Sequence, residues 1–390
     1  MQPHDKASPF DWRGLSALHG ERVGNVGGRF EGHHGRPPPM PDAFCCVHPS
    51  ALENRQQQAG GDWHLRATSK QVRTDADLRR WLSSPIHSRF LAFIGRLANR
   101  AAGKKSMPSL LRVNIANQRM LEAEQLQLAQ RESQTTAAAA GPVEATARAQ
   151  QDKGFQSLIA SFAPFTELPS NAACWELLGV LRQLLQWSDD IEPVQQPTRF
   201  GNQAFKTWCR KVEDEAGALL INVWEASGVD ISDDEKQQLT EMFCSSFGNP
   251  VRLDFGTGHE CAFAIFLFCL FEKKILKPEE HDPFAVLGIF KGYVEVAHAL
   301  QQRYMLEAAG SRGVWGLDDF HFLTFLWGAG QLAEQQIIEP AQITERDLVR
   351  HLAADLLYFD SIEYVMQTKK GAPFFECSPI LYDVSGISSW

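Results

Sequence analysis

Between 175 and 187 the sequence WELLGVLRQLLQW returns an apolar side chain every third or fourth residue. Trp175, Leu178, Leu181 and Leu185 therefore share one broad helical face. The same period recurs over 75–103, where Leu78, Trp81, Leu82, Phe90, Phe93, Ile94 and Leu97 line up around an interruption at Pro85. It predicts further helices at 202–227, 233–247, 258–275, 283–308, 319–334 and 345–368. Strand-type alternation closed by tight Asn-Gly turns is scarce, and no repeat of fixed period is visible. The fold class read from these patterns is all-α, with helices separated by Gly- and Pro-marked loops. A chain of 390 residues, 44% apolar and 10% aromatic, has enough material to bury a sizeable core.

Order is expected to begin at 74. Residues 1–73 are rich in Gly, Pro, His and Gln and include GHHGRPPPMP, so they read as a disordered tail with little apolar surface to offset ordering. The adjacent histidines in that tract lack partners, so a solvated tail explains them better than a metal site. From 106 to 169 the sequence is biased towards Ala, Gln and Glu without a steady apolar face, and reads as a low-complexity insertion. The ordered domain is thus 74–390, interrupted by 106–169.

Charge and cysteine usage exclude several classes. The net charge is −9 and no dense Lys/Arg block occurs, so a nucleic-acid partner is set aside. The longest uncharged apolar run, Cys261 to Phe271, has eleven residues and is too short to cross a bilayer. The N-terminus carries Asp and Trp where a signal peptide needs a continuous apolar run. The eight cysteines form no CxxC pair and mostly sit in apolar helical stretches, as buried thiols in a reducing compartment would. A soluble, cytoplasmic protein with no membrane partner is expected, and nuclear entry stays open because no basic signal stands out.

Four Gly-rich loops punctuate the helices: PTRFGNQAFKTW at 197–208, SFGNPVRLDFGTGHECAF at 246–263, AGSRGVWGLDDFHFLTFLWGAGQL at 309–332, and KKGAPFFECS at 369–378. In the second, Thr257 or Gly258 can cap a helix starting at His259–Glu260. Gly256 and Gly258 permit close backbone approach by a ligand, and Arg252 lies just upstream. Free N–H groups at a helix N-terminus plus a guanidinium suit a phosphate. The bland reading is a helix cap with Arg252 paired to Asp254. Neither a Walker A loop nor a dinucleotide fingerprint is present. In the third loop Gly313, Trp315, Gly316, Asp318 and Asp319 cluster. Paired aspartates beside free carbonyls can hold Mg²⁺, or one of them can N-cap the helix FHFLTFLW. Trp315 and Trp327 are open between core and an apolar wall. His259 and His321 read as hydrogen-bonded structural residues.

Taken in order, RFGNQAFKTW, SFGNPVRLDFGTGHE, GSRGVWGLDDFHFL, WGAGQL and GAPFFECS resemble the phosphotyrosyl phosphatase activator family. The likeness covers 170–390 well and 74–105 loosely. It implies an all-α fold of core, linker and lid parts around a cleft. It also implies binding to the catalytic subunit of a type 2A serine/threonine phosphatase, with ATP and Mg²⁺, and peptidyl-prolyl isomerase activity on proline-containing segments. By motif position, Arg252, Thr257 and Gly258 correspond to nucleotide contacts, and Gly313 and Asp319 to a magnesium site. Trp315, Gly316 and Asp318 are the candidates for the peptide or partner cleft, and no acid, base or nucleophile is named. The alternative is a phosphatase-binding scaffold without catalysis. The sequence departs from the family at Ala372, which is extra, at Cys377, which replaces a histidine, and at Ala309, which replaces a proline. Family members continue past Trp390, so the domain reads as truncated, with the C-terminal part of the nucleotide pocket absent.

Overall fold

A computed structural model describes residues 72–109, 162–163, 169, 171–310, 313, 316–333, 335 and 338–387. Residues 1–71, most of the 106–169 stretch and Trp315 lie outside the described residues.

Helix starts follow local side-chain chemistry. α1 (Asp75–Leu82) opens with a capping box between Thr74 and Asp77, and α2 (Pro85–Ala101) with Ser84 as N-cap and Pro85 as first residue. α3 (Ala172–Asp190) is capped by Asn171. α4 (Ala204–Ser227) ends on Gly228 at φ +65°. α5 (Asp233–Cys244) opens with a capping box between Ser232 and Glu235. The chain then passes through β1 (Asp254–Phe255) into α6 (Thr257–Glu272).

α6 carries the uncharged run and is apolar all round, so it can only lie inside. Phe263 stacks on Tyr293 at 3.9 Å, Phe266 packs against Phe243, and Phe268 and Phe271 meet Phe93 of α2. The buried ends of the 106–169 stretch join this core: Met107 and Phe162 are each 2% exposed.

The 283–308 segment is not the continuous helix expected. A short α7 (Asp282–Phe284) runs into a π-helical stretch at Ala285–Phe290, then α8 (Lys291–Arg303), then β2 (Glu307–Ala308). α8 stops because β2 pairs in parallel with β1, Asp254 opposite Glu307 and Phe255 opposite Ala308. Met305 turns at φ +50° to make that join. α9 (Leu323–Leu332) follows, then a 3₁₀ turn at Pro340–Thr344. The 345–368 segment likewise divides, into α10 (Arg346–Ala353) and α11 (Leu357–Thr368). Leu357 N–H leaves the helical ladder to donate to Gln331 Oε1 at 2.8 Å. Short α12 (Phe374–Cys377) and α13 (Pro379–Ser385) complete the described chain.

The WGAGQL block explains how α9 holds three elements together. Trp327 is fully buried and donates to Ile94 O of α2 at 3.0 Å, so it belongs to the core. A Cβ on Gly328 would lie 2.3 Å from Tyr358 N of α11, and one on Gly330 would lie 2.8 Å from Ala98 O of α2. Gln331 donates to Lys104 O and Ser106 Oγ. No neighbour stands within 4 Å of a Cβ on the exposed Gly217 of α4. Gly328→Ala is therefore expected to cost about 3 kcal/mol by overpacking, and Gly217→Ala to gain about 0.5–1 kcal/mol of helix propensity. Urea unfolding of the two variants checks both signs.

Candidate functional site

The four Gly-rich loops converge on one region. The first docks on the turn after α8 that leads into the third, through backbone bonds from Gly201 N–H to Met305 O and from Asn202 N–H to Tyr304 O, both 2.8 Å. It meets the second where Gly201, at φ +67°, leaves room for the Leu253 side chain. The second and third are joined by the β1–β2 ribbon, extended by Ala309 N–H to Phe255 O at 2.7 Å. The fourth joins through Asp318, whose carboxylate accepts from Ser378 Oγ and from Ile380 N–H, the latter at 2.8 Å. Lys369 of the fourth loop, its ammonium pushed below the usual lysine range by burial, also feels Arg199 of the first.

The 249–256 turn is built around Asn249. Its buried side chain accepts from Val251 N–H and Arg252 N–H at 2.9 and 2.8 Å. This drives Leu253 to φ +57°, while Met305, just before the facing strand, stands at φ +50°. Two bulky residues in the left-handed region, at the same end of one ribbon, are backbone strain of the kind found at functional sites. Arg252 forms the pair with Asp254 that the bland reading anticipated, Nε to Oδ2 at 2.6 Å and a terminal nitrogen to Oδ1 at 3.2 Å. Its side chain is nevertheless 43% exposed.

The cap of α6 differs from the expectation. The helix begins at Thr257, with Gly256 as N-cap and no side-chain oxygen on its first N–H groups. Thr257 and Gly258 are exposed, so that end of α6 faces outward. Next to it lies Asp319: a Cβ on Gly256 would meet Asp319 O at 3.2 Å, and one on Gly310 would strike the Asp319 carboxylate. Gly313 turns the same loop at φ +51°. The structure thus brings the Asp319 backbone against Gly256, next to Thr257 and Gly258, while the Asp319 carboxylate lies at Gly310. Gly316 precedes the 3₁₀ turn at Leu317–Asp319. Among the described residues no group of three or more His, Cys, Asp or Glu side chains is arranged to enclose a metal. One carboxylate with carbonyls suits an ion that keeps most of its waters.

Neither Asp318 nor Asp319 caps the following helix. The N-cap of α9 is Phe322, and its orphan donors are satisfied from α6: Glu260 Oε2 accepts from Phe322 N–H at 2.7 Å and Leu323 N–H at 2.8 Å. Glu260 Oε1 lies 3.1 Å from His321 Nδ1, and Gln301 Nε2 donates to His321 Nε2 at 3.0 Å. With Nε2 accepting, the ring proton sits on Nδ1 and is donated to Glu260. Gln301 Oε1 in turn accepts from Tyr364 OH at 2.6 Å, and Tyr364 stacks on His298 at 3.6 Å. This buried chain was not assigned from sequence. Its one visible signal was a carboxylate placed just before eleven uncharged residues. His259, bonded through Nδ1 to Ser245 O at 2.7 Å, is structural as expected.

Two measurements follow. Burial, then His321 and Lys291, hold His298 well below the usual histidine range, and burial lowers His259 too. The unfolded chain then binds more protons, so stability is complete above the unfolded value of 6.5 and is lost as pH falls below it. The melting temperature is expected to drop on acidification through this window, and His298→Phe to flatten the slope. Asp318→Ala removes the bonds to Ser378 and Ile380, a loss of about 1–3 kcal/mol for contacts to a charged acceptor. Limited proteolysis is expected to cut faster between α11 and α12; an unchanged cutting rate would show that Asp318 does not hold this segment.

Comparison with known proteins adds the following. The family model described as phosphotyrosyl phosphate activator (PTPA) protein matches residues 68–390. The probable serine/threonine-protein phosphatase 2A activator 2 of Dictyostelium discoideum is 39% identical over 220 residues, 55% of this chain and 47% of that protein. Serine/threonine-protein phosphatase 2A activator 2 of Cryptococcus neoformans is 36% identical over 215 residues, 55% of this chain and 54% of that protein. The chain spans about half the length of the curated relatives it matches. The crystal structure of the PP2A phosphatase activator Ypa1 PTPA1 aligns with a TM-score of 0.49 and 30% identity, over 57% of this chain and 68% of that one.

Proposed function

The chain belongs to the phosphotyrosyl phosphatase activator family, and from that membership we propose that it binds and activates the catalytic subunit of a type 2A serine/threonine phosphatase, using ATP and Mg²⁺. The reading is carried by the junction at Gly256, where the N-terminus of α6, which no side chain caps, adjoins the backbone of Asp319. The donor set fits the two groups. Arg252, Thr257 and Gly258 hold the phosphates through a guanidinium and outward N–H groups. Gly313 and Asp319 supply oxygens to Mg²⁺. Bound there, the metal neutralises phosphate charge that the α6 N-terminus and Arg252 can only partly offset. The remaining work of the chain is positional: the β1–β2 ribbon and the α6 N-terminus keep these residues in register.

Prolyl isomerisation is the second part of the proposal. The X–Pro bond turns over a barrier of about 18–20 kcal/mol and needs no nucleophile, only an apolar surface that favours the twisted amide. Trp315, Gly316 and Asp318 are the residues assigned to that surface. The buried thiols Cys174, Cys209 and Cys377, none of them in a disulfide, suit a reducing compartment, the cytoplasm or nucleus.

The test is capture of purified type 2A catalytic subunit, followed by its phosphatase activity with and without ATP–Mg²⁺. Binding with nucleotide-dependent activation is expected. Asp319→Ala is expected to abolish that activation with circular dichroism and melting unaltered. Binding without activation by the unmodified chain would leave the scaffold reading, and no binding by folded protein would sink the proposal. Acceleration of isomerisation in a short Ala-Pro peptide, with no phosphatase present, tests the second part separately.

A further inference from the structure

The phosphate-type and metal-type halves of the site lie on different segments, so their registration depends on how the 309–322 loop is held. That loop is tied at its start by Ala309 N–H to Phe255 O. At its end Glu260, which is 1% exposed, receives the loop on two oxygens, beside the Gln301 bond to the His321 ring and the Asp318 bonds to Ser378 and Ile380. Both of its oxygens point at the loop: Oε2 takes the N–H groups of Phe322 and Leu323, and Oε1 takes the His321 ring N–H. α9 has no side-chain cap of its own. A helix N-terminus left bare inside the protein is costly, so the bonds are directional and hard to replace. Glu260 is also only one turn from Thr257 and Gly258 on α6, so the side chain that receives the end of the loop is carried by the element presenting the phosphate-type residues. His321 is held from behind by Gln301, which Tyr364 fixes.

We propose that Glu260 is the positioning residue of this site: its carboxylate latches the 309–322 loop to α6 and so sets Gly313 and Asp319 against Thr257 and Gly258. The assignment of nucleotide and metal to those residues rests on the function proposed above; the latch itself does not.

Glu260→Gln tests it in the full chain. The amide has the same shape but one acceptor oxygen fewer, so at least one of the three N–H groups loses its partner. Amide exchange over 316–326 is expected to quicken by about tenfold or more, with α4 and α5 unchanged. The affinity for ATP without Mg²⁺ is expected to stay within about twofold, while the factor by which Mg²⁺ tightens ATP falls towards about one. A role confined to stability would quicken exchange in α4 and α5 as well and weaken both affinities together. His321→Phe removes one donor and keeps the ring, and is expected to give a smaller increase in exchange over the same amides; it decides the matter if Glu260→Gln does not fold. Unchanged exchange over 316–326 in the folded variant overturns the latch. Faster exchange with an undiminished Mg²⁺ factor overturns the coupling of the two halves. If the unmodified chain binds no ATP, the cofactor reading falls, and exchange alone upholds or overturns the latch.

Discussion

A carboxylate at the meeting point of two helix N-termini organises this molecule. Glu260 stands in the first turn of α6 and accepts the first N–H groups of α9. Burying such a charge without a Lys or Arg partner costs several kcal/mol unless strong donors replace water. Here three N–H groups and two positive helix ends do so. The geometry leaves little freedom. α6, α9 and the loop between β2 and α9 take up one mutual arrangement or the carboxylate is left unsatisfied. Through His321, Gln301 and Tyr364 the same constraint reaches α8 and α11.

α9 meets the opposite demand, close approach. Gly328 and Gly330 let two backbones come within the distance of a missing Cβ, while Trp327 and Gln331 bond to α2 and to the connection that follows it. A helix with an apolar body and glycines on two sides can be clamped between α2 and α11, and the polar ends of Trp327 and Gln331 fix its axial position. One family block thus serves packing, whereas the blocks at 246–263 and 309–322 shape an exposed surface over a rigid floor. Strain at Leu253 and Met305 is tolerable because that floor, with its ribbon and the Asn249 turn, over-determines the backbone.

Much of this architecture is legible in the residues. Thr74, Ser84 with Pro85, Asn171 and Ser232 each start a helix through oxygens or ring geometry supplied within a few residues. The loops at 246–263 and 309–332 were likewise visible as clusters of Gly, Arg and Asp. Where local rules misled, a distant group had taken over. Asp318 and Asp319 have the composition of an N-cap, yet the cap of α9 comes from Glu260, some sixty residues earlier in the chain. The breaks after Arg303 and Ala353 carry no local breaker strong enough to announce them; they arise from strand pairing and from the Gln331–Leu357 bond.

By itself the sequence determined that this protein is helical, where most of its helices begin, that α6 must be interior, and to which family it belongs. Those properties follow from periodicity, capping and composition, which act over one or two turns. Only the tertiary structure decided which aspartate lies against Gly256 and which ties down the C-terminal segment, that Trp327 is core, and that Glu260 ties the end of the 309–322 loop to α6. Each of these depends on which donors and acceptors meet across long separations in the chain, and a buried polar group is satisfied by whatever the packed fold brings within about 3 Å of it.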